Sequence, residues 1–223
     1  MAKYDLDSLN FSSRKEGGRD KNPPKRIKNI ALDDIQKRFD ESMNDVENLF
    51  TVCASLKENN LPGAADIYRA QILFLDSSLD FYIHEITKYG LVQIVDPEVS
   101  GWNVNDEFKK FKVSINFLKR VYSNREDIKI ILKELNDTIQ YSSYMKFEAV
   151  SSQLDLIGLE KPEGFENYRY VIDGLSDRRN AIAHASDRDM KGDKTDIDET
   201  TVRNFMEKLK EFQKLIHEAV KNK

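Results

Sequence analysis

Cysteine is almost missing: Cys53 is the only one in 223 residues, so no intramolecular disulfide can form and a reducing cytoplasm suits the chain. Long apolar runs are missing too. No stretch approaches the roughly 18 consecutive apolar residues of a membrane span, and the N-terminus has no signal-peptide core, so neither secretion nor membrane insertion is expected. Histidine occurs three times, and no two stand at the spacing of a zinc-binding helix, which leaves no candidate metal site. The absence of a Gly-rich phosphate loop excludes a P-loop nucleotide enzyme, no cofactor is implied, and no internal repeat occurs. With nine Gly and five Pro, the chain is poor in the turn residues a β-sandwich consumes.

What remains is charge and helical periodicity. Charged residues make up 33% of the chain and the net charge is −4, which argues against nucleic-acid binding by bulk electrostatics alone. The charge is uneven. Over residues 1–28, Lys3, Arg14, Lys15, Arg19, Lys21, Lys25, Arg26 and Lys28 stand against Asp5, Asp7, Glu16 and Asp20. That stretch, with Gly17-Gly18 and Pro23-Pro24 and few apolar side chains, is expected to be a flexible basic tail, either a plain solvated leader or an arm for RNA or an acidic partner.

Residues 29–223 are expected to form one all-α domain, an up-and-down helical bundle with additional helices. Ile35, Phe39, Met43, Val46, Phe50, Cys53 and Leu56 recur at three and four, predicting a first helix over about residues 30–58. A second, over about 62–89, is apolar over a broad surface that includes Leu73, Phe74, Leu75, Leu79, Phe81 and Ile83. It should be the central helix, ended by Gly90. Arg69, Asp76, Asp80, His84 and Glu85 are its polar exceptions, with His84 read as an ordinary interfacial imidazole. Trp102 lies in a connection, as a lid over the bundle end or a platform for a base. Further helices are expected from about residue 105, around Ile128 to Ile139, over Phe147 to Ile157, and over Phe165 to Ala185. Ser186 to Asp198 reads as a polar loop too hydrophilic for a core. Asp196 or Asp198 then caps a last helix whose seam is Val202, Phe205, Leu209, Phe212 and Ile216.

Asp177-Arg178-Arg179-Asn180-Ala181-Ile182-Ala183-His184 is the stretch that carries chemistry. At 100° per residue Asp177, Asn180 and His184 share one side of a helix within about 60° of one another, while Arg179 flanks them and long Arg stems can reach round. Ala181, Ala183 and Ala185 leave room for a second surface. The bland alternative is a set of local ion pairs between Arg179 and Asp177, with His184 set favourably at a helix C-terminus.

Arg179-Asn180, three residues, then His184 resembles the motif of the HEPN superfamily, all-α nucleotide- and RNA-binding domains that include many metal-independent ribonucleases. The context agrees, with a helix before the motif, a polar loop after it and one closing amphipathic helix. The RiboL-PSP type is the most similar, over nearly the whole chain after the tail. The resemblance implies Arg179 and His184 as catalytic residues with Asn180 assisting, and Asp177 and Arg178 in supporting places. It implies RNA as substrate and 2′,3′-cyclic phosphate ends as product. As a residue type, His is suited to proton transfer near neutral pH, and Arg offers a fork of donors that fits phosphate. One motif histidine cannot easily serve as both base and acid, so the resemblance further implies a homodimer packed through the motif helix. An active enzyme of this kind calls for a cognate antitoxin or a defence-system regulator. The same superfamily also contains silent domains that bind RNA or a protein partner without cutting.

Overall fold

The computed structural model describes residues 31–95, 101–109 and 144–223, without the side chains of Val95 and Phe108. Six α-helices are described: α1 (Leu32–Glu58), α2 (Ala64–Val95), α3 (Asp106–Lys109), α4 (Phe147–Leu156), α5 (Arg169–Ala185) and α6 (Glu199–Lys221). They form an all-α bundle, and no strand occurs among the described residues. None of these helices is long and apolar enough to cross a membrane. The tail over residues 1–28, the third helix beyond Lys109 and the helix expected around Ile128 to Ile139 lie outside the described residues.

Helix α1 follows its period closely. Ile35, Phe39, Met43, Val46, Phe50 and Cys53 are all buried on one stripe, and that stripe packs along α2. Asn60, in the left-handed region with φ 53, turns the chain back, and Leu61 N–H donates to the Leu56 carbonyl to close the end of α1. Helix α2 is the centre of the bundle, in contact with α1, α4, α5 and α6. Tyr68, Ile72, Leu75, Leu79, Tyr82, Ile83 and Ile86 of α2 are buried. Phe74 departs from the expected broad apolar surface, being 52% exposed.

Gly90 does not end α2, which continues to Val95. Its role is spacing: a Cβ built there would lie 2.7 Å from the Cβ of Ile157, so the helix survives only because nothing projects toward the end of α4. Glycine weakens a helix interior but permits a close approach, and here the approach decides. Past this crossing, Trp102 is 8% exposed with its ring edge-on to Tyr89 at 6.1 Å and the Lys223 ammonium 5.1 Å from its centroid. The indole is a lid on the bundle end, and a ring used in this way offers no face to a base.

The entry to α5 also differs from expectation. Phe165–Tyr168 is a 3₁₀ turn and the α-helix starts only at Arg169. The tighter turn places Phe165 in the core between Phe147 at 4.7 Å and Phe212 at 5.7 Å. At the other end of the molecule Asp198 caps α6, its Oδ1 accepting from Thr201 N–H at 2.8 Å and Thr201 O–H at 2.7 Å, and these donors hold its carboxyl below the usual range. Val202, Leu209, Phe212 and Ile216 form the expected seam, joined by Met206 and Val220, while Phe205 is partly buried. Arg203 ties α6 to α1 by pairing with Glu47 and stacking over Phe50 at 3.9 Å.

Candidate active site on helix α5

Ile172, Leu175 and Ser176 bury one side of α5 and so set the direction of every other side chain on it. Arg179 then reaches α2, where its Nε lies 3.5 Å from Asp76 Oδ2, an ion pair too long for a good hydrogen bond. Its Nη1 donates to Asn180 Oδ1 at 3.0 Å. Arg179 and Asn180 are therefore brought together as a unit, with the Arg179 side chain 29% exposed and able to present its remaining donors outward. His184 stands exposed in the last turn of the same helix and makes no hydrogen bond or ion pair among the described residues, including none with Arg179 or Asn180.

The two flanking residues are placed differently. Asp177 is exposed and pairs with Lys146, which also donates to the Asp173 carbonyl at 3.3 Å. The local pair of Asp177 with Arg179 is not formed. Arg178 turns away from the site, its Nη2 donating to Asp187 Oδ2 at 2.9 Å and to the Thr195 and Asp196 carbonyls at 3.2 and 3.1 Å. Its role in the fold is to hold the segment that follows α5.

That segment is not the plain polar loop its composition suggests. It folds as a short hairpin with an isolated antiparallel bridge between Arg188 and Lys194, and Asp187 at its base is fully buried. Arg69 of α2 reaches the same carboxylate with Nε at 2.6 Å, and its Nη2 donates to the Thr195 carbonyl at 2.8 Å.

Asp76, in the sequence only a polar exception on an apolar helix, is the further residue the fold brings to this group. It is 3% exposed, its Oδ1 has no hydrogen-bond partner among the described residues, and its pKa is pushed up to about 6. Loss of water by burial is the largest cause, with the Asp80 carboxylate adding to it, while the Arg179 guanidinium and the Lys146 ammonium pull the other way. A buried carboxylate opposite an Arg of the motif is a signal only the fold can supply, since the two residues lie far apart in the chain. Along α2 from Asp76, Asp80 Oδ1 accepts from the Tyr144 N–H at 2.6 Å, and its Oδ2 lies 3.5 Å from His84 Nε2. His84 packs on the Tyr144 ring at 4.5 Å, the interfacial imidazole the sequence predicts. Among the described residues, no group of three His, Cys, Asp or Glu side chains is disposed to hold a metal ion.

Compared with known proteins, the chain matches no family model, no curated protein and no solved structure.

Proposed function

We propose that the chain is a HEPN-type endoribonuclease that cuts RNA without a metal, acting in the cytoplasm as a toxin or defence effector under an antitoxin or regulator. The observation that carries this reading is the coupled pair of Arg179 and Asn180, in contact at 3.0 Å, on the helix that also exposes an unengaged His184. In such a reaction a base takes the 2′-hydroxyl proton, the oxygen attacks the adjacent phosphorus, and the 5′-oxygen leaves with a proton from an acid, giving a 2′,3′-cyclic phosphate. His184 moves one of these protons. Arg179 meets the charge that gathers on the phosphoryl oxygens, with Asn180 fixing one prong of its fork. The second proton group comes from a second copy, packed through α5 where Ala183 and Ala185 are exposed and permit close approach.

A second reading, a domain of the same type that binds RNA or a protein partner without cutting, draws on the fact that Arg179 is already engaged by Asp76 and Asn180. Digestion of RNA in EDTA, with end-group analysis of the products, separates the two. The wild type should leave cyclic phosphate ends, and His184→Ala should cut slower by about 10²–10⁴ while binding RNA nearly as well. Cleavage that needs Mg²⁺, or full activity in His184→Ala, would refute the enzyme reading, and tight binding without any cleavage would favour the second.

A further inference from the structure

His184 stands in the last turn of α5, and no hydrogen bond or ion pair among the described residues holds its ring. No polar partner among the described residues fixes the ring, so its place depends on the backbone turn that carries it. A terminal turn is where a helix frays most readily, because its carbonyls have no partners further along the helix. Immediately beyond it the chain does something costly: Ser186 and Asp187 both sit in the left-handed region, with φ of 52 and 58. Residues with a Cβ keep such angles only where the surroundings over-determine them.

We infer that Asp187, gripped by Arg69 of α2 and Arg178 of α5, is a positioning residue for His184, locking the last turn of α5 so that the imidazole is presented at a fixed place. The inference rests on the ribonuclease reading of α5. At Asp187, α2, α5 and both arms of the hairpin meet through the hydrogen bonds of one residue, and Thr195 on the returning arm receives the same two arginines. Its N–H donates to the Ala181 carbonyl at 2.9 Å, closing the helix end, and its carbonyl accepts from Thr195 N–H at 2.8 Å, joining the returning arm. Its Oδ2 takes both guanidinium groups, at 2.6 and 2.9 Å. Both guanidinium groups also hold the Thr195 carbonyl. The carboxylate is fully buried, and its Oδ1 has no partner among the described residues. A buried anion set between two cations does more than an uncharged anchor, since removing it leaves Arg178 with carbonyl acceptors alone and Arg69 with a carbonyl and the exposed Asp66 carboxylate, and neither with a buried counter-charge. The first thing freed is the turn that carries His184, three residues upstream.

The test uses the full chain with Asp187→Asn, which keeps the shape of the side chain and removes its charge. Arg69→Lys loosens the grip from the α2 side and serves as the second variant. Hydrogen exchange read by mass spectrometry should show the amides of Ala183 to Asp187 opening about tenfold faster or more, with the core of α1 unchanged. RNA cleavage should lose about tenfold to a hundredfold in kcat with little change in KM, the expected result of misplacing a proton-transfer group. The His184 ring signals in NMR, assigned by their loss in His184→Gln, should broaden or lose their contacts to neighbouring side chains. Unchanged exchange, or faster exchange with an unchanged kcat, overturns the inference. If the wild type cuts no RNA, the ribonuclease reading falls on its own. The ring signals then decide the positioning role, broadening sustaining it and unaltered signals overturning it.

Discussion

Replacing Asp76 with Asn should stabilise the protein at neutral pH and weaken the site it serves. The carboxyl has a pKa of about 6 in the folded protein against an ordinary 3.8. The folded state therefore binds this proton more tightly than the unfolded chain, so the group favours folding most at low pH, and that advantage is lost as pH rises from about 3.8 through about 6. With 1.36 kcal/mol per unit, the whole loss is about 3 kcal/mol, of which about 2 kcal/mol falls between pH 4.5 and 7.5. Asn cannot ionise and so does not incur it. His217 works in the opposite direction, because burial lowers its pKa and acid conditions then cost stability, so the pH profile of the wild type alone would mix the two. The difference between wild type and Asp76→Asn isolates Asp76. Urea unfolding followed by circular dichroism at a series of pH values should show the variant gaining about 2 kcal/mol on the wild type between pH 4.5 and 7.5. A difference that stays flat across that range would refute the reasoning, since it would mean that Asp76 retains its water or a better partner than Arg179. In the same series Arg179→Ala should widen the loss, as the cation that pulls the pKa down is gone.

Gly90→Ala should destabilise by about 1–3 kcal/mol despite the better helix propensity of Ala, because the added methyl meets Ile157, and a rise in the urea midpoint would show that α2 and α4 do not cross so closely. Cys53 is fully buried and burial raises its thiol pKa, so it should react with a disulfide reagent only as fast as the protein unfolds; rapid modification at neutral pH in native buffer would contradict its place in the core.

The helices that could be read in advance are those whose burial is one-sided. In α1 and α6 a single apolar stripe faces α2, so the period of the sequence is the period of the packing, and Asp198 announces the start of α6 by its own chemistry. Gly90 was open to misreading because glycine serves both at helix ends and at close crossings, and which applies depends on Ile157, which is far away in the chain. Phe74 shows the same limit, since its hydrophobicity says nothing of whether a neighbour covers it. The hairpin after α5 hid Asp187 because averaging over a charged segment conceals one carboxylate that two distant arginines take into the interior. At the site, the spacing of Arg179, Asn180 and His184 was visible because one helix carries all three. The division of labour between Arg178 and Arg179 was not, because adjacent arginines are alike until Asp76 and Asp187 pull them in different directions.

Trp102, closed in by Tyr89 and Lys223, has a spectroscopic consequence. As the only indole in the chain it dominates intrinsic fluorescence, and it lies beside the end of α2 remote from Asp76. From Asp76 to Tyr89 α2 rises roughly 20 Å at 1.5 Å per residue. Its emission therefore acts as a gauge of the distal lid, sensitive to opening of that end and to global unfolding and insensitive to what docks on α5. A ligand titration that leaves the emission unchanged while slowing hydrogen exchange along α5 would place the ligand at the site, whereas a shift in emission would place it, or its effect, at the opposite end.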